Sequence, residues 1–169
     1  MVRQGRASSY LVVETLNGSS TPSGGFKSFV ESDVVTNGSR FEDLGQAVLF
    51  LEMKNPSIPA SPTNFITLDS YRVTFIRADG RNTPGVDVPY PFDGAATGTV
   101  TDATKLQHVF VLVRAQAKLE APLKALAGGG GAVVISTIAE VTLYGRDQAG
   151  NNVSVTGRIS VNFADWDDS

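Results

Sequence analysis

Residues 137–163 read TIAEVTLYGRDQAGNNVSVTGRISVNF, two alternating runs joined by a tight polar turn. Val153, Val155, Ile159, Val161 and Phe163 share one parity; Asn152, Ser154, Thr156, Arg158, Ser160 and Asn162 share the other. Successive side chains of a strand point to opposite faces, so this spacing predicts a hairpin with one buried and one wet face. The joining segment fits that role. Asp147 is placed to accept a backbone hydrogen bond two residues on, and Gly150 and Asn151 tolerate the left-handed conformation that closes a loop. The class is an antiparallel β-protein.

Working outward, Ser8 to Leu16 reads as a first strand, rich in β-branched and aromatic residues. Asn17 to Gly25 is a loop by composition. Phe26 to Val35 reads as a strand edge crossing between sheets. Gly45 to Lys54 is apolar on both faces at its centre and reads as a buried strand, with a short helix opening at Phe41 to Leu44 as the competing assignment. Pro56, Pro59 and Pro62 impose an extended connection, because proline has no N–H to donate. Ile66 to Arg77 alternates and ends at the turn pair Asp79-Gly80. Arg81 to Asp93 is irregular, and Gly94 to Val100 is a weak edge strand. Leu106 to Ala117 is the most apolar run and is expected at a sheet centre. Ala121 to Leu126 forms one short helical turn, with Leu119, Leu123 and Leu126 on a common face and Gly128 as the stop. Gly128 to Gly131 reads as a flexible tether.

About seven or eight strands with turn signals between them is the pattern of a β-sandwich. With 169 residues the chain can bury a core as a single domain spanning 1–169. A net charge of −3 and the lack of a Lys/Arg cluster argue against a nucleic-acid partner; Arg3 and Arg6 read as a solvated tail. The absence of cysteine removes disulfides, thiolate nucleophiles and Cys-ligated metal centres. No run of about 18 apolar residues marks a membrane span. Met1 to Gln4 lacks the apolar region of a signal peptide, so the expectation is either a cytosolic chain or an export segment replaced by an initiator Met.

Two resemblances bear on identity. The strand–DxAGN–strand ending built on Asp147 to Asn151 is similar to the terminal hairpin of bacterial immunoglobulin-like domains. Three blocks, RQGRASSYL (3–11), RADGRNTPGVDVPYPFDG (77–94) and STIAEVTLYGRDQAGNNVSVTGRISVNFADW (136–166), resemble an uncharacterised group of bacterial predicted lipoproteins. The resemblance implies an immunoglobulin-like sandwich in the cell envelope, periplasmic or outer-surface, or secreted. It implies membrane attachment only through a lipidated cysteine ahead of the first block, which this chain lacks.

Reactive constellations are sparse. A serine triad needs a base, and His108 is the single histidine, set in the apolar run LQHVFVL as a core or edge residue. No Walker, dinucleotide or GxSxG pattern occurs. Asp79, Asp87 and Asp93 share an oxygen-rich stretch that could take calcium, but turn chemistry also explains them. Glu14, Glu52 and Glu140 lie on strands and would need a cleft between them to act as a glycosidase pair. Asp165, Asp167 and Asp168 read as a solvated tail around Trp166, whose ring could dock on the sandwich. Tyr90 and Phe92, braced by Pro89 and Pro91, are a candidate ligand platform for a glycan or an extended peptide, or a plug for the open end of the sandwich.

The expectation is a non-enzymatic envelope binding or structural module without catalytic residues, cofactor or metal, acting through surface or edge-strand contacts. Its partner is a protein or glycan, and Ser8–Leu16 and Gly94–Val100 are the expected edges. Two alternatives stand beside it: a self-associating surface fibre subunit completed by the segment from Val2 to Leu16, and a carbohydrate-active or calcium-dependent glycan-binding protein.

Overall fold

The computed structural model describes residues 6–20 and 25–166. Among them are nine strands: β1 (Ser9–Ser19), β2 (Phe29–Asp33), β3 (Asp43–Met53), β4 (Ile66–Arg77), β5 (Phe92–Ala95), β6 (Thr99–Val100), β7 (Leu106–Val113), β8 (Ile135–Asp147) and β9 (Asn152–Ala164). One sheet has the order β1-β3-β7. The other runs β2-β9-β8-β4-β5, with β6 on the end of β4. Facing each other, they make an all-β sandwich. The separation of β3 and β7 from β4, β8 and β9 follows the immunoglobulin partition of B and E from C, F and G.

The terminal hairpin forms as its alternation predicts. Strands β8 and β9 pair from Ile135↔Phe163 to Arg146↔Asn152. Val153, Ile159, Val161 and Phe163 are buried, while Arg158, Thr156 and Ser160 face water. Asp147 closes the turn: its Oδ1 accepts from the N–H groups of Ala149 (3.0 Å) and Asn151 (2.8 Å). Gly150 takes φ +87° there. On the inner faces, Val73, Phe75, Val141, Leu143 and Ile159 join one core cluster with Leu11, Leu49 and Leu112. Phe75 meets Phe163 edge-on at 5.7 Å. Tyr71 packs on Phe110 at 5.0 Å, and its hydroxyl donates to the Val111 carbonyl at 3.0 Å, so its polar end is satisfied across the layers.

Several elements differ from the sequence expectation, each for a physical reason. β1 runs on through Asn17 and Gly18 to Ser19, residues that composition assigns to a loop. Gly18 pairs with Gly45, and a Cβ on it would lie 2.3 Å from Val30 Cγ2, so close strand approach, not turning, requires the glycine. β2 does lie at a crossing between sheets, and it pairs parallel with β9, from Phe29↔Ser160 to Asp33↔Ala164. At Phe41 to Leu44 the strand wins over the helix, with β3 starting at Asp43. β7 is an edge strand, not a centre, and stops at Val113. Its apolar outer face, with Val109 46% exposed, imitates a strand buried on both sides. The residues after it form a 3-10 turn, Ala115–Leu119. The weak strand at Gly94–Val100 splits into β5 and β6 around Gly98 at φ +121°.

The expected helical turn forms as a 3-10 turn, Leu123–Leu126, and the described residues hold two more, Pro62–Asn64 and Ala115–Leu119. Leu123 and Leu126 are buried, but Leu119 is exposed, so the three leucines do not share a face. The glycine tract is tied down: the Gly128 N–H donates to Asp165 Oδ2, and Gly131 lies beside the Trp166 ring.

Candidate functional site

The sequence-derived candidates do not converge. Tyr90 is half exposed over Gly85, while Phe92 turns inward on β5. Phe92 meets Tyr71 edge-on at 6.3 Å, and the Arg114 guanidinium covers it at 4.9 Å. One ring therefore faces solvent and the other caps the core. Val88 and Pro89, just ahead of Tyr90, are buried, which anchors the loop to the end of the sandwich.

The three aspartates are engaged separately. Asp79 takes Arg77 and Arg81, each at 3.0 Å, and the Arg81 N–H, the leading cause, helps hold its carboxyl below the usual range. Asp87 accepts from the Thr83 N–H at 3.2 Å, and Asp93 pairs with Arg72 at 2.9 Å. Among the described residues no group of three or more metal-ligating side chains gathers. Glu14 binds Lys105 at 2.6 Å and Glu140 binds Arg158 at 3.0 Å; Glu52 is exposed on β3. His108 is half-buried, stacks at 6.0 Å on Phe110 and has no hydrogen-bond partner at Nε2. Burial pulls its imidazole below the ordinary value, so it is neutral at pH 7. Asp165 and Trp166 dock at the Gly128 tract; Asp167 and Asp168, like Arg3, lie outside the described residues. A recess lined by Met53, Lys54, Ile58, Pro59 and Thr63 carries no carboxylate or histidine among its lining residues.

Two features went unread in the sequence. The first is a charged cluster sealed inside the sandwich. Asp43 opens β3, Ser32 lies near the end of β2 and Lys118 lies in the 3-10 turn after β7. Asp43 is 0% exposed and Lys118 is 1% exposed. Lys118 Nζ donates to Asp43 Oδ1 at 3.0 Å, and Ser32 Oγ donates to Asp43 Oδ2. The neighbouring Asp33 accepts from Thr36 Oγ1 at 2.6 Å and from the Trp166 N–H at 3.0 Å. Burial pushes the Asp43 carboxyl up to about 6, outweighing the attraction of Lys118 and the Ser32 hydrogen bond, and Asp33 adds to the rise. No local pattern signals this cluster. Asp43 and Lys118 stand 75 positions apart.

The second is the outer edge of β7. Among the described residues the edge strands are β1 and β7 on one sheet, and β2, β5 and the two-residue β6 on the other. β1 is broken by a bulge at Glu14, β2 has five residues, and β5 has four with a charged Asp93. β7 has eight residues, LQHVFVLV, without lysine, arginine, carboxylate or proline. Charges, bulges, prolines and shortness are what protect an edge from pairing; β7 has no charge or proline, and its single bulge, at Leu112, lies near its end and leaves Leu106 to Val111 in regular register. Gln107 and Val109 are exposed on it.

No family model, curated protein or solved structure matches this chain.

Proposed function

We propose that the chain is a non-enzymatic binding or structural module of the bacterial cell envelope that engages a protein partner by adding a strand to β7. The long, uncharged edge of β7, regular from Leu106 to Val111, carries this reading. An exposed ladder supplies main-chain donors and acceptors to an extended segment, and Gln107 and Val109 would supply side-chain selectivity. The scattered carboxylates Glu14, Asp79, Asp87, Asp93 and Glu140, each held by its own cation or backbone donor, favour binding over bond chemistry. The envelope location rests on the resemblance of the three sequence blocks.

The test uses a double variant, Gln107→Lys with Val109→Lys, which places charges on the edge without touching the core. Partners are captured from an envelope extract by the wild-type chain, by this variant and by a Tyr144→Lys control on the other sheet. A protein held by wild type and control but released by the edge variant is the expected result. Binding that survives the edge charges overturns the reading, as does an extract with no edge-dependent partner. Light scattering across a concentration series adds one arm: self-association abolished by the same two lysines would make the partner a second copy, the fibre alternative.

A further inference from the structure

Lys118 and Asp43 differ from a surface ion pair in three ways. Both are enclosed, the amine touches one carboxyl oxygen at 3.0 Å, and a hydroxyl, Ser32 Oγ, touches the other. A buried charge pair gains little net stability, because desolvating both ions offsets their attraction. In such surroundings, transfer of the shared proton from the ammonium to the carboxylate leaves a neutral amine beside a neutral acid. Those are the two reactants of amide formation, held at contact by the fold.

We propose that Lys118 Nζ and the Asp43 carboxyl condense into an internal amide, a covalent tie between the 3-10 turn after β7 and the first residue of β3. The nitrogen lone pair attacks Asp43 Cγ, forming the N–C bond. Oδ1, the oxygen nearest the amine, becomes the amide oxygen. The Cγ–Oδ2 bond breaks, and Oδ2 leaves as water, carrying the acid's proton and the one lost by nitrogen. Ser32 Oγ, hydrogen-bonded to Oδ2, is positioned to relay that proton to the departing oxygen. Electrons and atoms balance with loss of one water and no co-reactant. Holding the two groups in place supplies an effective concentration of order 10⁵–10⁸ M when the approach is aligned.

The surroundings support the step. Asp33, fixed by Thr36 and the Trp166 N–H, sets a second carboxylate close enough to oppose ionisation of Asp43. The enclosed pair leaves no open path for bulk water, so hydrolysis of the product is suppressed. The product also removes two buried charges. Linking positions 75 residues apart would restrict the unfolded chain and fasten the end of the β7 edge strand to its neighbour.

Intact-mass spectrometry of the purified, folded chain under denaturing conditions tests this directly. The expected wild-type mass is lower than the sequence mass by one water. Tryptic digestion should give a branched peptide joining Asp43 to an uncleaved Lys118. Lys118→Met should show the full sequence mass. Asp43→Asn should form the same tie with loss of ammonia in place of water. A wild-type chain at full mass after prolonged incubation in its folded state overturns the proposal, whatever the variants do. So does a water loss that persists in Lys118→Met.

Discussion

Replacing Lys118 by methionine leaves the Asp43 carboxyl enclosed with no cation beside it. The consequence is a stability that depends on pH in a known direction. With Lys118 present, burial already lifts Asp43 from 3.8 to about 6, a difference of roughly 3 kcal/mol between its protonation states. Lys118 is the largest influence holding that value down, so its removal raises the folded-state value further. Between the unfolded and folded values the folded chain keeps a proton that the unfolded chain has released. Unfolding free energy therefore falls as pH rises, at a slope approaching 1.4 kcal/mol per pH unit. The contribution is whole below the unfolded value near 3.8 and is lost as pH climbs through and beyond 6. Urea unfolding of Lys118→Met from about pH 5 to pH 8 should show a loss of about 3 kcal/mol or more. The reference is the double variant Lys118→Met with Asp43→Leu, which keeps His108, Asp33 and every other titrating group. His108, with its lowered value, acts in the opposite sense and equally in both proteins. The double variant should be the more stable by about 1–4 kcal/mol near pH 8, with the gap closing toward pH 5. A gap that does not change with pH refutes the reasoning.

Other perturbations test the frame around this cluster. Gly145→Ala would drive a Cβ to 2.6 Å from the Thr67 backbone oxygen, beside the bulge between Leu68 and Ser70, and backbone cannot swing aside. A loss of about 1–3 kcal/mol is expected in chemical denaturation; an unchanged midpoint would mean that β4 and β8 lie further apart. Asp147→Ala removes three hydrogen bonds that close the terminal turn, and about 1–3 kcal/mol should be lost, with faster amide exchange at Ala149 and Asn151. Tyr71→Phe deletes the hydroxyl that joins β4 to the Val111 carbonyl. About 1 kcal/mol is expected from thermal melts, because the carbonyl is left short of a donor.

What could be read in advance was whatever period two controls. The β8–β9 hairpin and β4 lie where alternation places them, because each has one face on the core and one in water. β7 was misplaced because hydrophobicity reports apolar residues, not neighbours, and Val109 is apolar without being covered. The run Asn17 to Ser19 was misread because small residues serve close packing as well as turning. Of the candidate residues, Phe92 and Tyr90 were found but not their opposite orientations, which depend on Arg114 and Gly85 elsewhere in the chain. The Asp43–Lys118 contact was beyond reach for the same reason: three elements must dock before it exists.

The parallel pairing of β2 with β9 has a mechanical meaning. Tension between the start of β2 at Phe29 and the far end of β9 at Ala164 pulls the two strands lengthwise past one another. In that geometry the rungs of the ladder are strained together, whereas a hairpin pulled at its open end unzips rung by rung. A module loaded through these two points would resist force by shear, with the first and last strands of the large sheet acting as its clamp.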